Sequence, residues 1–332
     1  GLPVQQTPPA ANVAEQEGSQ PPLYYLVSGL LTSWIDTGSP DDMYQLNPHA
    51  SVGYPDSDGN KNVVVHTAKE DFPYSGPSLA VHLVRVLSLL LGLTTVIATY
   101  FIGLEVWPGR TNLATAAAAL VAVIPGFLFI ASAVNNDNAI TAISTLSLLA
   151  MLRLIRSPGF WRPVIALAVL VPLGALAKLS GLLLVPFAIG CVALAAYRRG
   201  SLRLLVAGGG LVGVAWLAVA GWWYVRNLVL YGEFFGTARM LEILGGRVPP
   251  LGVVEVLQVS LEEWEGLRWS FWGVFGWFNV IPGGWFYLMF DVFSAIAVAG
   301  LLLSLLPVGR SQFHIDRSVL VLLGVWPAAV FV

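Results

Sequence analysis

The chain has 332 residues, 56% of them hydrophobic and only 11% charged, with a formal net charge of −2 at pH 7. Soluble domains carry roughly a quarter charged residues, so this composition excludes a water-soluble fold, and the near-neutral balance excludes a broad basic surface for nucleic acid. The single cysteine, Cys191, excludes disulfides and cysteine-rich metal sites; placed in the middle of an apolar run, it is expected to be a packing group.

In chain order, the sequence opens with a polar stretch rich in Pro and Gln, without a signal peptide or a first span, and closes inside the apolar run Val319 to Val332. This pattern predicts further segments on both sides. The apolar stretch 22–35, PLYYLVSGLLTSWI, is shorter than the ~20 residues that cross a bilayer as helix. It is predicted to be a helix started by Pro21-Pro22 that lies in, or dips into, the membrane interface. Residues 36–78, with Asp41-Asp42, Pro55-Asp56 and Asp58-Gly59-Asn60, read as an exposed loop or small hairpin.

Apolar runs follow at about 79–104, 112–132, 138–155, 163–177, 181–197, 204–225, 284–306 and 318–332. Only Lys178, Leu179 and Ser180 separate the short fourth and fifth runs. Alternating polarity of the β-barrel kind is absent, so the predicted class is an all-α polytopic bundle. The segment between Arg226 and Gly283, rich in Trp, Glu and Gly, is too polar to span and reads as a loop with interfacial helices. Four parts result: a first loop 1–78, spans within 79–225, a long loop 226–283, and spans within 284–332.

Arginines sort the ends of these runs. Arg110, then Arg153, Arg156 and Arg162, then Arg198, Arg199 and Arg203, then Arg310 and Arg317 fall at every second junction, which the positive-inside rule assigns to the cytoplasm. The first loop, the Asn135-Asn136-Asp137 turn, Lys178 and the 226–283 loop then face outward. Nearly all acidic residues share that side, apart from Glu105 and Asp316. Only three of the 17 basic residues are lysines, as in proteins of GC-rich bacteria.

Three groups of residues carry possible chemistry. Glu15 and Glu17 precede the 22–35 helix, near its positive end, where a carboxylate stays ionised; Glu15 reads as a capping group and Glu17 as a functional acid. Asp137 follows a tight turn between two apolar spans; Asn-Asn-Asp-Asn is good capping chemistry, yet an acid wedged at the bilayer rim is also a functional candidate. Arg85, with His82 one turn away, Lys178 and Arg226-Asn227 supply cations on the same side, either as snorkelling anchors or as phosphate ligands. Acids beside phosphate-sized cations on one rim suit glycosyl transfer from a lipid-linked phosphate, with a carboxylate taking the proton of an incoming hydroxyl. Gly208-Gly209-Gly210 is expected to serve helix packing, because no strand precedes it. Trp264, Trp269, Trp272, Trp277 and Trp285 suit either interfacial anchoring or a sugar site.

The element Glu17-Gly-Ser-Gln-Pro-Pro-Leu-Tyr-Tyr resembles the E-x-x-(H/Q)-P-P-L-Y-Y element of the C-type (GT-C) multi-spanning membrane glycosyltransferases related to protein O-mannosyltransferases and aminoarabinose transferases, and of their bacterial relatives. Supporting elements, in order, are His82-Leu-Val-Arg85-Val-Leu-Ser88, Asn135-Asn-Asp137, Ala177-Lys178-Leu-Ser-Gly181, Trp223-Tyr-Val-Arg226-Asn227 with Tyr231-Gly232, and Ser270-Phe-Trp-Gly-Val-Phe-Gly276-Trp. The resemblance implies a GT-C-like bundle and an inverting transfer of a hexosyl or pentosyl group from a polyprenyl-phosphate-linked sugar to an extracytoplasmic glycan, lipid or protein acceptor, in a bacterial inner membrane. It makes Glu17 and Asp137 the catalytic candidates, the family's base lying in the first outer loop ahead of the P-P-L-Y-Y element. It matches Lys178 and Arg226 to the donor phosphate, with Arg85, Asn227, Tyr24 and His82 as further substrate-binding candidates. No cofactor is required by this reading; a divalent metal is used by some relatives, and only Glu17 and Asp137 offer ligands for one. Glu17, Asp137, Arg85, Lys178 and Arg226 are expected to converge on one outer cavity. The rival readings are a flippase or transporter of lipid-linked sugars and a non-catalytic scaffold; few polar residues at mid-span speak against the first.

Overall fold

The computed structural model describes residues 20–38, 45–50, 59–238, 241, 252–276, 279–305 and 316–330. Within them the chain is all helical, with no strand. We number the α-helices α1 (Leu23–Thr32), α2 (Gly76–Val106), α3 (Thr111–Val123), α4 (Pro125–Ala131), α5 (Asp137–Arg156), α6 (Trp161–Ala177), α7 (Leu184–Arg198), α8 (Leu202–Val219), α9 (Gly221–Tyr231), α10 (Val253–Gly273), α11 (Gly284–Leu305) and α12 (Arg317–Val330). Five helical segments are long and apolar enough to cross a membrane: α2, α5, Leu179–Arg198, α8 and Gly284–Leu303 of α11.

Two of the expected runs are broken. The run 112–132 splits into α3 and α4, bent by 67°. Pro125 is the cause: it has no N–H to continue the ladder, and it drives Ile124 into an extended conformation at φ −64°, ψ 118°. The run 204–225 breaks at Ala220, and α9 continues to Tyr231, into what reads from sequence as loop. The short runs around Lys178 resolve into α6, a 3-10 turn at Leu179–Leu183, and α7.

Helix α5 is the central pillar. It is the most buried of the candidate spans, with Met151, Leu152 and Leu154 fully enclosed. Around it pack α2, α6 and α7, with Val164, Leu167 and Val171 of α6 and Ala188 and Val192 of α7 in the same core, and Val319 and Leu322 of α12 reaching it as well. Cys191 is buried there, as expected of a packing thiol. Gly208 is buried too, pressed toward Phe160, while a Cβ on Gly210 meets open space. Leu89, Leu93 and Ile97 of α2 and most apolar side chains of α8 and α11 lie exposed, as lipid-facing residues must.

Arginines and the two lone acids tie one end of the bundle together. Arg153 pairs with Glu105 at 2.9 Å, and Arg156 donates to the backbone carbonyls of Glu105 and Val106. Arg198 pairs with Asp316 at 3.1 Å, and Arg199 donates to the Ser157 carbonyl at 2.8 Å. The other end of α5, about 30 Å away at 1.5 Å per residue, carries Asp137.

Helix α1 packs on α2 and α6, burying Tyr24 and Ser28 while Leu26 and Leu30 stay exposed. In the first loop, isolated bridges join Leu46 to Val64 and Ala50 to Asn60. Helix α10 fills much of the long loop, and α4 lies so close to its end that a Cβ on Gly126 would stand 2.7 Å from the Phe271 carbonyl oxygen.

Candidate active site

The turn before α5 is built from its own side chains. The Asn135 Oδ1 accepts the Asp137 N–H at 2.7 Å, an Asx-type turn that covers one of the orphan N–H groups at a helix start. Asn138 donates back to the Ile130 carbonyl at 2.9 Å and to those of Ala133 and Asn135. Asp137 thus enters the first turn of α5, where the helix dipole favours an anion.

The neighbouring end of α6 is closed from outside. Its last carbonyls have no partner further along the helix. The Tyr224 hydroxyl of α9 donates to the Ala175 carbonyl at 2.9 Å, and Asn136 Nδ2 donates to that of Ala177 at 3.3 Å. Lys178 caps this negative end, and its ammonium donates to the Asp137 carboxylate. The acid sits at a positive helix end and the base at a negative one, so each dipole reinforces the charge beside it. The 3-10 turn after Lys178 folds hard against α6: a Cβ on Gly181 would stand 2.0 Å from the Gly174 carbonyl oxygen. Only glycine fits there.

Tyr24 ties α1 to this turn. Its hydroxyl lies 2.7 Å from the Ser88 hydroxyl of α2 and accepts the Asn135 N–H at 3.2 Å. With only 2% of its surface exposed, Tyr24 acts here as a brace.

Asp137 and Lys178 together line a cavity of about 440 Å³, within the range of small-ligand sites. One wall is the stripe Thr141, Ser144 and Thr145 of α5, at the spacing that keeps them on one helix face with Asp137. The opposing wall is apolar and aromatic, made by Leu183 and Leu184, Phe187 of α7, and Trp326 of α12. The hydroxyl stripe and the Phe187–Trp326 pair, ring centroids 5.2 Å apart, are absent from the residues singled out by sequence. The stripe was readable as a helical period after Asp137; the tryptophan, 189 positions away, carries no local signal.

The other expected residues lie elsewhere. Arg85 is exposed on α2 and is not among the cavity's lining residues. His82 stacks on Tyr74 at 3.6 Å and bonds the Ser78 carbonyl at 2.8 Å. The Arg226 guanidinium lies 4.7 Å from the Trp223 ring centroid and donates to Asn227. Asn227, buried, donates to the Phe234 carbonyl at 3.3 Å and so holds the turn after α9. Glu15, Glu17 and Trp277 lie outside the described residues. Trp269 and Trp272 stack on Tyr287 and Phe290 of α11, and Trp264 and Trp285 are exposed; none of these four lines the cavity. Among the described residues no group of three or more His, Cys, Asp or Glu stands close enough to hold a metal ion.

The family model described as dolichyl-phosphate-mannose-protein mannosyltransferase matches residues 67–232, which is half of the 332-residue chain and contains every element that builds the Asp137–Lys178 pair except Tyr24. The chain belongs to that mannosyltransferase family. No curated protein and no solved structure matches it. Membership of the mannosyltransferase family, together with the apolar helices, makes the chain an integral membrane protein of the glycosyltransferase class.

Proposed function

We propose that the chain transfers a sugar from a polyprenyl-phosphate donor to an acceptor on the extracytoplasmic face of the membrane, with Asp137 and Lys178 at the reacting centre. The observation that carries this reading is the ion pair at the arginine-poor end of the bundle, opening on a cavity with one polar and one apolar wall. By the positive-inside rule that end faces away from the cytoplasm. The donor's phosphate competes with the Asp137 carboxylate for the Lys178 ammonium, and the apolar wall receives the first prenyl units. Asp137, released from its partner, accepts the proton of the acceptor hydroxyl. The acceptor oxygen bonds to the anomeric carbon as the bond from that carbon to the phosphate oxygen breaks, and Lys178 offsets the charge left on the departing polyprenyl phosphate. Attack opposite the leaving group inverts the anomeric centre. Of the further candidates, Arg85 and Arg226 do not line this cavity; Glu17 is kept as a second acid for it, and a divalent metal would need Glu17 beside Asp137.

The test uses full-length protein in liposomes with a labelled polyprenyl-phosphate sugar and candidate acceptors. Asp137→Asn is expected to lower kcat by about 10²–10⁴-fold, the usual share of general acid–base catalysis. Lys178→Met is expected mainly to raise the donor KM. Label that crosses the bilayer without being transferred would replace this reading with that of a flippase, and full turnover by Asp137→Asn would remove the acid from the mechanism.

A further inference from the structure

A second cavity, of about 520 Å³, lies at the opposite end of the bundle between α5 and α6. Its mouth holds Arg153 and Arg162, and its walls run along apolar side chains to Leu146 on α5 and Leu170 on α6. These lie seven and eight residues from the arginines, about 10–12 Å deeper along the helices. Arg153 spends its Nε on Glu105, and among the described residues Arg162 has no acidic partner. Arg153, Arg156, Arg162, Arg198 and Arg199 gather at this end against Glu105 and Asp316 alone among the described acids, so the end is strongly positive. The start of α6 adds to it: the first bond of that helix is donated by Val164, which leaves the N–H groups of Trp161 and Arg162 ahead of the ladder. Trp161, 45% exposed beside the mouth, is a headgroup-level anchor.

A cationic mouth, at the depth where lipid head groups lie, above a groove that is apolar for two helical turns, is the shape of an amphiphile with a phosphate head. We propose that this groove binds an anionic phospholipid of the adjoining leaflet, its phosphate between Arg153 and Arg162 and the upper part of one acyl chain against α5 and α6. This site is separate from the Asp137 cavity, and its occupation does not depend on the transfer reaction.

The experiment loads the detergent-solubilised full chain with equimolar phosphatidylglycerol and phosphatidylcholine and counts the retained lipids by native mass spectrometry. Wild type is expected to retain phosphatidylglycerol over phosphatidylcholine by about fivefold, the advantage of one basic residue at an anionic surface. Arg162→Gln removes charge at an exposed position, and Ala166→Phe fills the groove while keeping both arginines. Both are expected to bring the preference close to one. Equal retention of the two lipids by wild type, or a preference that survives either substitution, overturns the proposal. So does displacement of the lipid by inorganic phosphate alone, which would make the arginines a free-phosphate site.

Discussion

Tyr24 shows how much of the candidate site rests on a buried brace. Its hydroxyl serves both Ser88 and the Asn135 backbone, so Tyr24→Phe keeps the ring but strands a partly buried N–H and a buried serine. The expected cost is about 1–3 kcal/mol, read as a fall in the thermal unfolding midpoint in detergent, with a matching loss of transfer because the Asn135 turn aims Asp137. At the other end, partial burial pushes the Asp316 carboxyl up, but hydrogen bonds from Arg198 and Ser318 outweigh it and hold it below its ordinary value of 3.8. A lowered folded-state pKa contributes stability that is complete above the unfolded value and is lost as pH falls through the folded one. With both side chains about one-third exposed, the contribution is expected to stay under ~1 kcal/mol. The protection of the α12 amides, measured relative to their intrinsic exchange rates, should therefore fall as pH drops below about 4, and Asp316→Asn should show the lower protection already at neutral pH and lose that acid limb.

At the scale of the element, the 3-10 turn after α6 carries the tightest geometric demand in the site. Gly181→Ala would place a methyl 2.0 Å from a backbone oxygen of Gly174 and 2.8 Å from the Ala175 nitrogen, so backbone rather than a flexible side chain must shift. Overpacking of this kind costs about 1–3 kcal/mol. Because the turn carries Lys178, transfer activity should fall further than stability does; an alanine variant with wild-type melting and wild-type turnover would contradict the packing described here. The spans around this turn were legible as apolar runs, and their ends as arginines, because hydropathy and charge are local properties. The break at Pro125 has its signal in the proline itself, although hydropathy runs through it unchanged; the break at Ala220 leaves no local mark, since the residues on either side remain apolar. The Asp137–Lys178 pair was legible as two candidates on one side, but their contact depends on the antiparallel packing of α5 against α6, which no local pattern encodes. Arg85 and Arg226 share that side by parity alone, and parity fixes a membrane face without fixing a cavity.

For the whole molecule, two ends of opposite character make sidedness a direct experiment. In a Cys191→Ala background, a cysteine at exposed Ser180 should react with a membrane-impermeant maleimide applied to intact spheroplasts. One at exposed Pro158, by the arginine cluster, should react only after permeabilisation. The reverse pattern would move the site to the cytoplasm and with it the source of the sugar donor.

The bend at Pro125 also bears on the thickness of membrane that the helices beside the candidate site can match. Helix α3, with 13 residues, rises about 20 Å even if upright, and α4, seven residues tilted by 67°, adds about 4 Å. Helix α6, with 17 residues, rises about 25 Å. A hydrocarbon core is about 30 Å thick, so if α3–α4 and α6 each cross it, thinning of the bilayer by roughly 5 Å beside them would match their length. Both short elements end at the Asn135–Lys178 rim, and such thinning would draw the nearby head groups down toward it. On the function proposed above, a lipid-borne phosphate would then reach Lys178 without being lifted out of its leaflet, the protein lowering the surface of the membrane to the level of its candidate site.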